Sequence, residues 1–302
     1  METIHAPTGA VVVGIDGSES SDRALRWAAE EAALEGRALV VAHAAPPPSA
    51  TGSAWLMSVG VDQHQIHQQL VEESRILLGH AEEKALAAQP GLEVHQAIRL
   101  CDPREALLEL ARDAHLLVVG SRGLGPVRSL LLGSVSLTLA KHSPAPVVVT
   151  RHLDETRTPG GVLVAVAGEP TDRRVLEVAF QVADARGMPL TALHCFWDMN
   201  KISQGAVDVP DDEAGLDDER ALLRDAVREL EERYPDVPVH LQLTRGFVDA
   251  RLVRASEHAD LIVIGHQPKP LLNELVYGSV APEVVEHSKC SVAVVTQPEA
   301  AS

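Results

Sequence analysis

Two short runs in the first half of the chain carry the residue types that hold an anion. Gly120-Ser121-Arg122-Gly123 is followed, nine residues later, by Gly133-Ser134-Val135-Ser136. Glycines at 120 and 123 allow close backbone approach to a ligand and positive φ. A helix opening at Gly133 would present free N–H groups and the positive end of its dipole, which suits phosphate. The hydroxyls of Ser134 and Ser136 are further candidate donors to phosphate oxygens. Arg122 reads equally as a charge-assisted phosphate donor or as a solvated loop charge. Asp16, at the end of the first apolar run, is either an acceptor for a sugar hydroxyl or a turn and cap residue ahead of Ser18 to Ser21. The pattern is not a Walker A loop, since no lysine follows Gly133, and a dinucleotide GxGxxG belongs after the first strand. Glycine and serine also build plain turns and caps. The place of this run, after an expected fourth strand, favours phosphate.

Other reactive residues point to structure. The 14 histidines include no HExxH or comparable ligand set. His64 and His67 fall on a polar helix start and read as surface residues, while His142 and His287 fall at helix C-termini, where a cation favours the dipole. Asp102-Pro103 reads as an N-cap with proline at the first helical position. Cys101, Cys195 and Cys290 are far apart, with no CxxC, and read as inert thiols in a reducing compartment.

The elements that must position these residues occur twice. Val11 to Gly17 and Val162 to Gly168 are largely apolar runs ending at a glycine, as buried parallel strands do. Amphipathic helices follow over Asp22 to Leu34 and Asp172 to Ala185, then strands at Ala38 to His43 and Leu190 to Phe196. Long helices (His64 to Ala88, Glu213 to Tyr234), strands (Glu93 to Leu100, Val239 to Thr244) and short helices (Pro103 to Ala114, Val248 to His258) come next. The fourth strands end at Gly120 and Gly265, and after a loop both halves show Gly-Ser-Val, His-Ser and a final strand, Pro146 to Thr150 and Ser291 to Thr296. Five strands alternating with four helices per half predict α/β architecture: two tandem five-stranded parallel open sheets, Rossmann-like, with helices on both faces. The polar stretch His152 to Gly160 divides domains 1–152 and 160–302. Loops Ala44 to Val61 and Asp198 to Asp212 read as exposed and poorly ordered.

Composition narrows the function. A net charge of −17 and an aromatic content of 3% argue against nucleic acid, which needs clustered Lys/Arg and stacking rings. No run of 18 apolar residues predicts a membrane span, and Met1 to Ala10 lacks the pattern of a secretion signal. A cytoplasmic protein is expected.

The order of elements, the opening Val13-Gly14-Ile15-Asp16-Gly17-Ser18 and the G-x2-G-x9-G-S loop together resemble the universal stress protein family over essentially the whole chain. The resemblance implies the adenine nucleotide alpha hydrolase-like fold and ATP, with magnesium, bound at Gly14, Asp16, Val41, Gly120, Arg122, Gly123, Gly133, Ser134, Val135 and Ser136. The triphosphate would lie on the glycine loop, Asp16 on the ribose or adenosine side, and backbone groups of Val41 and Ala42 near adenine. It further implies a regulatory role in stress, a protein partner and pairing of the last strands; a homodimer is expected besides. An enzyme of the wider fold class is the competing expectation. Its SGGxxS-type loop after strand one is replaced here by Gly17-Ser18-Glu19-Ser20.

The second half departs from the pattern. Pro268 stands where the second loop glycine belongs, removing an N–H, and Pro270 stiffens the same loop. Ala167 replaces the aspartate and Glu169 brings a carboxylate towards the phosphates, although Lys269 offers a compensating cation. One nucleotide per chain, in the first half, is the expectation.

Overall fold

The computed structural model describes residues 6–46, 62–123, 132–152, 158, 160–196, 207–210, 212–267 and 280–296. Pro268, Lys269, Pro270, Gly278 and Ser279 lie outside these residues, as do 47–61 and 197–206 of the two variable loops.

The chain forms two compact units, residues 1–139 with 143–145, and residues 140–142 with 146–302. The first unit runs β1 (Val11–Gly14), α1 (Glu19–Leu34), β2 (Leu39–Ala44), α2 (Gln63–Ala88), β3 (Val94–Arg99), α3 (Pro103–Leu110), β4 (Leu116–Gly120) and the start of α4 (Ser134–His142). Its strands are parallel in the order β3-β2-β1-β4, with Val13 in register with Val41 on one side and Val118 on the other. The chain therefore reverses its direction of travel across the sheet between β1 and β4, and loops at the carboxyl ends of these strands diverge to leave a crevice. Strands β1 and β4 are apolar on both faces because helices cover both. Helix α1 buries small residues, Ala24, Ala28, Ala29 and Ala32, so its axis lies close to the sheet; Trp27, which its periodicity predicts to face inward, is only half-buried.

The second unit holds β5 (Val147–Thr150), β6 (Val162–Val166), α5 (Asp172–Arg186), β7 (Leu190–Phe196), β8 (Val207–Asp208), α6 (Asp217–Arg233), β9 (Val239–Arg245), α7 (Val248–Ala255), β10 (Leu261–His266), α8 (Val280–His287) and β11 (Ser291–Thr296). Its strand order is β5-β11-β10-β6-β7-β9-β8. The five repeat strands are parallel, and β5 joins them antiparallel through β11, Val147 opposite Val294. This is the pairing of last strands that the resemblance implied. Strand β8 is unforeseen: two residues of a loop read as featureless pair antiparallel with β9, and the next residue, Val209, is buried.

Helix starts follow local chemistry. Ser18 caps α1 by accepting the Ser21 N–H at 3.1 Å, so the helix begins three residues earlier than its apolar periodicity indicates. Asp102 accepts the Arg104 N–H at 2.9 Å, with Pro103 at the first position of α3.

Candidate functional site

Strand β4 ends beneath the first turn of α1. A Cβ on Gly120 would lie 2.5 Å from Ser20 Oγ and 2.7 Å from the Ser20 carbonyl carbon, so only glycine admits the helix this close. The loop leaving β4 is stitched to its surroundings. The Arg122 N–H donates to Ser20 Oγ at 3.3 Å, the Gly133 N–H donates to the Ser121 carbonyl at 2.9 Å, and the Ser136 hydroxyl donates to the Gly120 carbonyl at 2.7 Å. These bonds bring Gly120, Arg122, Gly123, Gly133, Ser134, Val135 and Ser136 to one place at the carboxyl end of β4.

Asp16 joins them from β1. Its Oδ1 accepts the Ser18 N–H at 3.0 Å, as a turn residue does, while Oδ2 faces Gly123 so closely that any Cβ there would collide with it. Both readings of Asp16 are thus compatible: one oxygen shapes the turn and the other stands in the crevice. The turn itself needs Gly17, at φ 83°, and its counterpart Gly168 has φ 88°.

The geometry corrects two expectations. Neither Gly120 nor Gly123 has positive φ; Gly120 serves close packing and Gly123 clears the Asp16 carboxylate. Nor is the Ser136 hydroxyl a phosphate donor, because its hydrogen is committed to Gly120 and its side chain is buried. Ser134 is exposed, and Arg122 is exposed beside it in space. Val41 and Ala42 are buried in β2, and the Ala42 carbonyl accepts the Ile15 N–H at 2.8 Å.

Gly133 is different. It is the N-cap of α4 at φ −77°, ψ 151°, a conformation open to any residue, and it makes no side-chain cap. A Cβ would find Ser121 O at 3.6 Å, Arg122 Cα at 3.7 Å and Gly123 N at 3.8 Å, ordinary contact distances. Nothing among the described residues demands glycine here, yet a side chain would cover the backbone at Arg122 and Gly123. The N–H groups of Ser134, Val135 and Ser136, in the first turn, have no helical acceptor. That turn carries no acidic residue, and Lys141 and His142 occupy the last, so the dipole is complemented at the C-terminus and left open to an anion at the N-terminus.

Sequence reasoning missed Ser20, which lies 102 residues from its partner Arg122. It also missed His43, whose Nδ1 lies 2.6 Å from the Ile15 carbonyl; His194 repeats the contact with Val166 at 2.8 Å in the second unit. The repeat of both histidines was the available clue.

At the carboxyl ends of β6 and β10 in the second unit, the described side chains bond to one another and to the backbone. Asp172 Oδ2 accepts the N–H of Gly168 at 2.7 Å and of Glu169 at 3.1 Å. Burial pushes the Asp172 carboxyl above its ordinary value, against the pull of the Glu169 and Gly168 N–H groups. Gln267 Nε2 spans the opening, donating to Glu169 Oε2 at 2.9 Å and Thr171 Oγ1 at 3.2 Å. Ala167 offers no carboxylate at the position of Asp16.

Among the described residues no group of His, Cys, Asp and Glu is arranged to hold a metal ion, and no helix is long and apolar enough to cross a membrane. His64 and His67 are exposed, and the cysteines are free thiols.

Comparison with known proteins agrees with the duplicated architecture. The model of the universal stress protein family matches residues 8–151 and again 161–296. A universal stress protein of Mycolicibacterium smegmatis is 31% identical over 292 residues, 94% of this chain and 96% of that one. Universal stress protein Rv2005c of Mycobacterium tuberculosis is 32% identical over 298 residues, 95% and 97% of the two chains. A universal stress protein of Archaeoglobus fulgidus superposes with a TM-score of 0.72 at 21% identity, covering 96% of this chain and 99% of that one, and shares the fold. With both halves matched and relatives aligned nearly end to end, the chain belongs to the universal stress protein family.

Proposed function

We propose that the first unit binds ATP at the crevice between β1 and β4 and that the chain is a nucleotide-dependent regulator in stress physiology. The observation carrying this reading is Gly133, a glycine that neither φ nor packing against the described residues requires, at an N-terminus without a side-chain cap. The N–H groups of Ser134 to Ser136 and the backbone at Gly123 would receive the phosphates, with Arg122 in reach as a charge-assisted donor. Asp16 Oδ2 would accept from the ribose. Magnesium would arrive on the phosphates, the usual mode where a protein supplies few ligands.

One nucleotide per chain is proposed, bound by domain 1–152. Domain 160–302 would be the unliganded partner, since Asp172, Glu169 and Gln267 already occupy the matching positions. A regulated protein partner, homodimerisation and a cytoplasmic setting complete the proposal. Prolonged incubation of the ATP-loaded chain, with chromatography of the products, tests the regulatory reading. Intact ATP is the expected result, whereas AMP and pyrophosphate would replace it with an enzyme that cleaves the α–β bond.

A further inference from the structure

The second unit carries a cavity remote in sequence from the crevice residues. It has a volume of about 270 Å³ and lies among α6, β9 and the residues that follow β8. Its floor is apolar, formed by Val209, Leu223, Leu241 and Leu243, and Leu241 keeps 37% of its surface exposed. Arg220 and Arg224 line the same cavity. They are one helical turn apart on α6, a like-charged i,i+4 pair that costs the helix stability. Arg220 donates to the Pro210 carbonyl at 3.2 Å. Among the described residues Arg224 has no hydrogen bond or ion pair, and no carboxylate lines the cavity.

That absence is notable in a chain with 43 Asp and Glu against 26 Lys and Arg. Three nearby acids are engaged elsewhere: Asp208 with Arg251 at 2.7 Å, Glu213 with Arg245, and Asp225 with Arg228 at 3.2 Å. Two guanidinium groups beside a leucine floor whose exposed part is Leu241 are complementary to one kind of ligand, a small organic anion with an apolar body. The volume equals that of about nine waters, enough for a ligand of roughly ten heavy atoms.

We propose that this cavity is a binding site for a medium-chain monocarboxylate or an anion of like shape, held by Arg220 and Arg224 with its tail on Leu223, Leu241 and Leu243. The site is independent of nucleotide. Octanoate serves as the probe, titrated calorimetrically into the full chain, with octylammonium as the cation of matched tail. Saturable binding of one octanoate per chain is expected, at least about tenfold tighter than octylammonium and weakened about tenfold or more by Arg224→Gln. Arg228→Gln, on the same helix but outside the cavity, should leave octanoate binding unchanged, and neither substitution should alter the thermal unfolding midpoint by more than a few degrees. No octanoate binding, equal affinity for octylammonium, or equal loss in both arginine variants would overturn the proposal.

Discussion

Gly120 and Gly133 flank one loop, and the described residues give an internal reason for only the first. Alanine at 120 would drive its Cβ into Ser20, so Gly120→Ala is expected to cost about 1 to 3 kcal/mol of folding stability by overpacking, read as a lower urea midpoint. Alanine at 133 meets nothing closer than 3.6 Å, so stability should stay within about 1 kcal/mol while ATP affinity falls about tenfold. Calorimetric titration alongside urea melts separates the two outcomes. Equal loss of stability in both variants would make Gly133 a packing residue. Asp16→Asn provides a third case. It preserves an oxygen for the Ser18 N–H, so the fold should persist, and replaces one acceptor in the crevice by a donor. Weaker ATP binding without a change in unfolding is expected.

At the scale of elements, the strands were the most legible part of the chain. Runs such as Leu116 to Gly120 and Leu261 to Gly265 are apolar without alternation, which only a sheet covered on both faces explains. The loop's position after β4 and the opening of α4 at Gly133 were readable for the same reason: they follow from chain order. What escaped was decided by distant partners. Whether the Ser136 hydroxyl faces a ligand or the Gly120 carbonyl depends on how α4 docks, and Ser20 acquires a role only when α1 crosses β4. Strand β8 was hidden because two residues pairing with β9 carry no periodicity. Caps were readable locally. Asp102 holds the N-terminus of α3, and the Arg104 guanidinium beside it, the leading influence, lowers its carboxyl to about 2. Asp102→Ala should cost about 1 kcal/mol, measured by urea unfolding at neutral pH, with no effect on ATP affinity.

Across the whole molecule, the two copies of the repeat carry different residues at corresponding positions, Asp16 in one and Ala167 in the other. The first unit keeps an open N-terminus on α4, while in the second Asp172 accepts the Gly168 N–H, Gln267 bridges to Glu169, and β5 pairs with β11. Stability of the first unit is linked to pH at the opposite end of α1. Glu35 lies 2.6 Å from Arg37 Nε and 2.9 Å from His115 Nε2. Burial pushes its carboxyl up, but His115 and Arg37 together hold it below the ordinary value of 4.5. A carboxyl lowered on folding stabilises the protein above its unfolded value and loses that contribution as pH falls through the folded one. Glu35→Gln should therefore lower stability in urea at pH 7 by about 1 to 2 kcal/mol, and the gap to the unsubstituted chain should narrow as pH falls below 4.5. A gap that persists at pH 3 would show that packing, and not charge, is what the substitution removes.

The central claim, one ATP held at the α4 N-terminus of the first unit, is tested most directly by denaturing the purified chain and counting the released nucleotide. After loading with ATP and magnesium, about one ATP per chain is expected, falling below about a tenth of that in Gly133→Glu, where a carboxylate would meet the phosphates. Two nucleotides per chain, or one per chain undiminished by Gly133→Glu, would contradict the account.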